Sequence, residues 1–270
     1  MVDLPAYFPR IVDASTRLLR ERVGHYVVMS TIGVYRDFTA AGIGEDAPVR
    51  VLDRPFVERP DLSEDYEYGT YGARKVECER LVLDRFPGAA TVVRAGGIIG
   101  GGLSDPSKWY WPAKLRRSTR VVAPGDGEDP TQWIDRRDIA DFILRCLERK
   151  LTGVYNVVGE QAKFRDALAT VARVAGSAAS IGWMGDRHRD ALRSIPGPPS
   201  RHRLPGLGSI DDSKARGVGF ANRPLSDSIL ADWLYFRSQH SLAFDFVKAG
   251  YGISDTDEAR LFAESARVSP

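Results

Sequence analysis

Apolar residues along this chain alternate between two rhythms: short unbroken runs, and longer stretches spaced by three and four. Residues 8 to 22 bring Ile11, Ala14, Leu18 and Leu19 near one face, which predicts a helix ended by Gly24. His25 to Ser30 is short, apolar and β-rich, as a strand buried on both faces of a parallel sheet would be. The same alternation returns with a helix over Tyr71 to Phe86, stopped by Pro87-Gly88, and a strand over Thr91 to Ala95 that runs into the glycine-rich Gly96 to Gly102. A short strand near Arg120 to Ala123 and a turn at Pro124 to Gly127 follow. Ile139, Phe142, Ile143, Cys146 and Leu147 then recur at helical spacing, with Asp135 and Asp138 placed to favour the helix start. A strand over Gly153 to Val158 and a helix over Phe164 to Val174 complete the alternation.

Two stretches lack either rhythm. Residues 36 to 67 mix glycine, proline and charge, and so long a connection inside a domain is usually functional. Residues 185 to 208 are rich in Pro, Gly, Arg and His and read as a loop with at most a short helix. Helices over 225 to 236, striped by Leu225, Ile229, Trp233 and Phe236, and over 255 to 266 close the chain. The alternation of strand and helix predicts an α/β fold with a parallel sheet and flanking helices, plus a smaller, mostly helical C-terminal part. The expected division is 1–160 and 161–270, interleaved rather than independent.

Composition narrows the partners. The 270 residues are 43% hydrophobic, and 38 basic against 36 acidic side chains leave a net charge of +2, too small to imply nucleic-acid binding. Cys78 and Cys146 fall inside helical patterns, as reduced thiols do, and no Cys/His spacing suggests a metal. The start, Met-Val-Asp-Leu-Pro-Ala, has neither a basic region nor an apolar stretch, and no run approaches the ~18 apolar residues of a membrane span. A cytoplasmic protein with a small-molecule substrate, no nucleic acid and no membrane partner is the expectation.

The chemistry centres on Tyr71 and Lys75. Four positions apart on a helix, they share one face. A phenol titrates near ~10, and an adjacent ammonium favours its anion, so the pair can move a proton near neutral pH. The same spacing also occurs as plain decoration of a surface helix.

The context of the pair resembles the extended short-chain dehydrogenase/reductase family, the NAD-dependent epimerases and dehydratases. Tyr71-Gly72-Ala73-Arg74-Lys75 is similar to that family's Tyr-x-x-x-Lys, and Val27 to Tyr35 to the strand and loop that hold its Ser or Thr. Val93 to Gly100 is similar to its Arg-Pro-Gly-x-x-x-Gly, with Ala95 in place of proline. Trp133 to Ala140 and Gly153 to Val157 match later segments, in order.

The resemblance implies a partial Rossmann-like sheet and a hydride transfer between nicotinamide and a hydroxyl or keto carbon, with NAD or NADP as cofactor. It makes Thr31 the residue that orients the substrate oxygen, Tyr71 the general acid/base, and Lys75 the group that lowers the tyrosine pKa and bonds the nicotinamide ribose. Ser30 is the neighbouring candidate on the substrate side. Ala95, Gly96, Gly97 and Ile98 would line the cofactor. Arg187, Arg193 and Arg201 would hold a nucleotide-sugar diphosphate through bidentate bonds, against the plainer reading of a solvated basic loop. Trp109, Tyr110 and Trp111 either floor a substrate pocket or pack.

One part of the family pattern is not visible. No glycine-rich strand-to-helix turn precedes Thr31, and Met1 to Leu4 resembles the family's fourth strand, so about two βαβ units of ~30 residues or more are missing from this sequence. Cofactor binding by this chain is therefore doubtful. A cofactor-independent isomerase or lyase, or a catalytically silent binding protein, stand as alternatives. An uncovered sheet edge also predicts self-association or a partner.

Overall fold

A computed structural model describes residues 1–52, 70–103 and 105–265. Of the long connection expected over 36 to 67, residues 53–67 lie outside the described residues. In chain order the elements are β1 (Val2–Asp3), α1 (Pro9–Leu19), β2 (Tyr26–Thr31), α2 (Tyr71–Arg85), β3 (Ala90–Ala95), β4 (Gly97–Ile99) and α3 (Ser107–Arg117). Then come β5 (Arg120–Ala123), β6 (Pro130–Thr131), β7 (Trp133–Asp135), α4 (Arg136–Arg149), β8 (Gly153–Val157), β9 (Ala162–Lys163) and α5 (Phe164–Ala175). The chain ends with β10 (Ser180–Trp183), α6 (Ser213–Gly217), α7 (Leu225–Gln239) and α8 (Asp255–Ser265).

Two units result. The first comprises Met1–Gly97, Arg137–Gly159 and Ile210–Ala221; the second comprises Ile98–Arg136, Glu160–Ser209 and Asn222–Pro270. The expected boundary at 160 differs from this division, because Ile98–Arg136 joins the C-terminal unit and Ile210–Ala221 returns to the first.

The first unit is built on a parallel sheet ordered β1-β2-β3-β8. Its strands are nearly unbroken apolar runs because helices cover them: Tyr26, Val27, Val28, Val92 and Val93 are all buried. Helix α1 packs on α2. Arg85 of α2 braces the pair, donating to the Asp13 carbonyl at 2.6 Å and to the buried Thr16 hydroxyl at 2.9 Å. Cys78 and Cys146 are free and buried, and burial pushes each thiol up to about 12.

The second unit holds the parallel pair β5–β10, the pairs β4–β7 and β6–β9, and helices α3, α5, α7 and α8. The Leu225, Ile229, Trp233 and Phe236 stripe of α7 packs into its core, with Leu225 at the margin. Trp109, Tyr110 and Trp111 lie in the same core, each at most 4% exposed. They pack rather than floor an open pocket. Helix α3, which carries them, shows no helical period in the sequence because it contains Pro112 and an apolar run buried all round.

A buried carboxylate in this unit has a titration consequence. Asp232 on α7 accepts from the Gly100 amide at 3.0 Å, while its Oδ1 has no hydrogen-bond partner. Gly100 itself lies against Asp135, whose charge reaches Asp232 as that of Lys108 does from α3. Burial first, and Asp135 after it, push the Asp232 carboxyl up to about 6 from 3.8. A folded pKa above the unfolded one stabilises the acid form: the contribution is complete below pH 3.8 and is lost as pH rises through about 6. The unfolding free energy of the wild type relative to Asp232→Asn should therefore fall by up to about 3 kcal/mol across that interval. Denaturant melts of both proteins from pH 4 to 7 measure it, and parallel curves would refute the assignment.

Candidate functional site

The C-terminal end of β2 places Thr31 beside the first turn of α2. Thr31 is extended, at φ −147° and ψ 150°, and caps a short 3-10 turn over Ile32–Val34 by accepting from the Gly33 amide at 3.1 Å. Its hydroxyl lies on the Tyr71 side: a Cβ on Gly33 would stand 3.4 Å from Thr31 Oγ1 and 4.0 Å from Cε1 of Tyr71. Ala95 is the register partner of Thr31 on β3, so it lies at the same sheet end. In open parallel sheets that end is where ligands bind.

What lets Tyr71 approach Thr31 is the glycine that follows it. A Cβ on Gly72 would stand 2.1 Å from the Gly33 carbonyl oxygen and 2.8 Å from Cδ of Arg50. The Gly33 oxygen is also tied down, since Arg50 Nε donates to it at 3.1 Å and to the Tyr35 oxygen at 3.2 Å. Backbone cannot move aside as a flexible side chain can. Gly72→Ala is expected to destabilise by about 1–3 kcal/mol and to pull Tyr71 off Thr31. The loss of activity should exceed that of Thr31→Val; a Gly72→Ala protein with wild-type stability and turnover would refute the close approach.

Lys75 stands one turn further along α2 and is 2% exposed. Its ammonium donates to the Met29 carbonyl at 2.6 Å and to the Ala6 carbonyl at 2.9 Å, and lies 5.0 Å from the centroid of the Tyr7 ring. Burial lowers its pKa. The Tyr71 phenol moves the other way: burial raises its pKa, the Tyr7 charge adds to the rise, and the Thr31 hydrogen bond and the Arg74 charge oppose it. The resemblance implied a lowered phenol; the buried setting holds Tyr71 protonated at neutral pH, as a donor.

Ser30, the neighbouring candidate, is engaged elsewhere. Ser30 is 5% exposed, and its Oγ donates to Glu79 Oε1. Glu79 in turn takes a fork from Arg94, with Nε at 3.1 Å and Nη2 at 2.8 Å. Arg94 continues to the Tyr35 hydroxyl at 3.2 Å, which donates to Asn156 at 2.6 Å. Ser30 thus belongs to a buried network under the strand ends, while the Thr31 hydroxyl and the Tyr71 ring both border Gly33. The sequence reading did not find Glu79, Gly72 or the Ala6-Tyr7 segment.

The other expected site residues divide between the two units. The Gly96 amide is spent on the Val157 carbonyl at 3.1 Å, Gly97 is exposed, and Ile98 opens the second unit. Arg187, Arg193 and Arg201 all lie in the second unit, the first two exposed. Arg201 is already bidentate with Asp126, at 2.6 and 2.8 Å, and its neighbour in the loop, Arg189, pairs with Asp129 and Asp186. A cavity of about 610 Å³ opens beside Arg201, lined also by Glu128, Lys163, His202 and Ser209. An anion entering it competes with Asp126 for the Arg201 fork.

A nicotinamide cofactor would meet one free N–H of Lys75 at its ribose end. Among the described residues no glycine-rich strand-to-helix turn offers amides to its pyrophosphate; the β1–α1 connection runs Leu4-Pro5-Ala6-Tyr7-Phe8. The fit is to the ribose end alone. No described helix is long and apolar enough to cross a membrane.

A parallel sheet flanked by helices defines a Rossmann-like α/β fold of the kind found in NAD-dependent epimerases and dehydratases. UDP-glucuronic acid 4-epimerase from Bacillus cereus, solved with NAD, superposes at a TM-score of 0.61 and 16% identity, over 88% of this chain and 67% of that one. RMD from Pseudomonas aeruginosa, complexed with NADPH, gives 0.57 and 18% over 80% of this chain and 68% of its own. WbmG from Bordetella bronchiseptica, in complex with NAD and UDP, gives 0.57 and 15% over 84% and 64%. At such identities the likeness establishes the fold. No protein-family model matches the sequence, and no curated protein matches it.

Proposed function

We propose that the chain carries the proton-transfer site of an NAD(P)-dependent oxidoreductase or epimerase/dehydratase acting on a hydroxyl or keto carbon. Thr31 holds the substrate oxygen, Tyr71 is the general acid/base, and Lys75 fixes the end of α2 while offering one N–H to a ligand hydroxyl. The observation that carries this reading is the meeting of Thr31 Oγ1 and the Tyr71 ring around Gly33 at the C-terminal end of a parallel strand. The cofactor, when bound, accepts and returns the hydride. A sugar nucleotide is the first substrate class to try, since the structures sharing the fold include enzymes named for one or solved with UDP.

A second reading draws on one observation. Two of the three N–H groups of Lys75 are spent on backbone carbonyls, which favours proton transfer by Tyr71 without a cofactor. Turnover of UDP-glucuronic acid and related sugar nucleotides, with and without added NAD⁺ or NADP⁺, separates the two. Turnover that needs cofactor supports the first, turnover without it the second, and none in any arm refutes both. Among the described residues β1 pairs with β2 alone, and self-association through its other edge is read by sedimentation of the same protein; a monomer at all concentrations would refute it.

A further inference from the structure

Between β1 and α1, the segment Leu4-Pro5-Ala6-Tyr7-Phe8-Pro9 crosses the face of α2 that carries Tyr71 and Lys75. Its backbone is stiff. Pro5 and Pro9 fix their own φ, Pro9 starts the helix, and the Tyr7 amide closes a tight turn onto the Pro5 carbonyl at 2.7 Å. The Ala6 carbonyl is pinned by Lys75. The Tyr7 side chain, by contrast, is 45% exposed, and its hydroxyl has no hydrogen-bond partner among the described residues.

The ring nevertheless stands over the site. Its centroid lies 5.0 Å from the Lys75 ammonium and 6.1 Å from that of Tyr71. An ammonium has three donors. Met29 and Ala6 take two, and the third faces the π-surface of Tyr7. The ring therefore covers the one Lys75 N–H not spent on a carbonyl, while the residue as a whole stays 45% exposed.

We propose that Tyr7 is a lid on the Lys75 subsite: a ribose or sugar hydroxyl reaches the third N–H only after the Tyr7 ring turns away. Because the backbone is held at both ends, the motion is a rotation about the Tyr7 side-chain bonds, which an untethered, half-exposed ring makes between staggered rotamers. Tyr7 then acts through Lys75 and is a positioning residue, selecting ligands able to displace or slide past an aromatic ring.

Labelling of Lys75 tests the lid without any ligand, so its outcome is independent of the function proposed above. The full chain, Tyr7→Phe and Tyr7→Ala are given a brief pulse of acetic anhydride, and acylation of Lys75 is followed by peptide mass spectrometry. Tyr7→Ala should raise the Lys75 rate about tenfold, in keeping with loss of a shielded cation–π contact, while Tyr7→Phe stays at the wild-type rate. Cys78, 1% exposed and one turn on along α2, should remain closed to a thiol reagent in all three. Equal Lys75 rates in the three proteins would overturn the lid. So would a rise accompanied by Cys78 labelling, which reports a loosened helix, or an equal rise in Tyr7→Phe.

Discussion

Tyr71→Phe is expected to lower turnover by about two to four orders of magnitude, the usual worth of a positioned general acid or base, with little change in stability. Only the hydroxyl is lost; the ring keeps its place beside Tyr7 at 6.1 Å. Burial holds the phenol above its ordinary pKa, so under the proposed mechanism the group would enter the reaction protonated at neutral pH. In the direction that needs the phenolate, the wild-type rate should climb with pH, and its limb should lie above the ordinary phenol value. Tyr71→Phe should lack that limb. Thr31→Val, which keeps the phenol but removes its partner, should fall between the two. Turnover by Tyr71→Phe equal to wild type, with the same pH profile, would remove Tyr71 from the chemistry and leave a binding protein on this fold.

Most of the first unit was legible because its signals are local. The strand Tyr26–Thr31 and the helix Tyr71–Arg85 each announce themselves by period and by stops, and the family resemblance named Thr31 and Tyr71 together. Three features were not legible, each for a physical reason. Gly72 is required by an approach to Gly33, nearly forty positions away, which no local pattern encodes. Lys75 is bonded by carbonyls of Ala6 and Met29, and backbone acceptors leave no mark in a sequence. The arginines of the 185–208 loop look free until the fold brings Asp126 and Asp129 to them. Asp129 is 1% exposed, so its charge had to find a cation from somewhere.

The same reasoning, applied to Arg94, could have found Glu79 in advance and leads to the largest expected stability loss. Arg94 interrupts an otherwise apolar strand, Ala-Thr-Val-Val-Arg-Ala, every residue of which is buried. A guanidinium there needs a carboxylate on whatever covers the sheet, and Glu79 is on the buried face of α2 with Lys75, Cys78 and Val82. Both partners are at most 5% exposed, and the fork geometry uses two Arg94 donors on one carboxylate. Glu79→Ala leaves Arg94 with the Tyr35 hydroxyl and the Glu45 carbonyl, at 3.2 and 3.1 Å, but no counter-charge. Removing one partner of such a pair costs about 3–5 kcal/mol, whereas replacing both by apolar residues of similar volume can be neutral. Glu79→Leu with Arg94→Met should therefore be more stable than Glu79→Ala alone, as denaturant melts will show. Because Ser30 donates to Glu79 and is joined to Thr31, the single variant should also misplace Thr31 against Tyr71 and lose turnover beyond its loss of folded protein. The double variant, with its floor refilled, should regain stability without regaining the Ser30 bond, so its turnover measures how far that network aims the Thr31 hydroxyl. A Glu79→Ala protein as stable as wild type would mean that Arg94 finds its charge balance elsewhere.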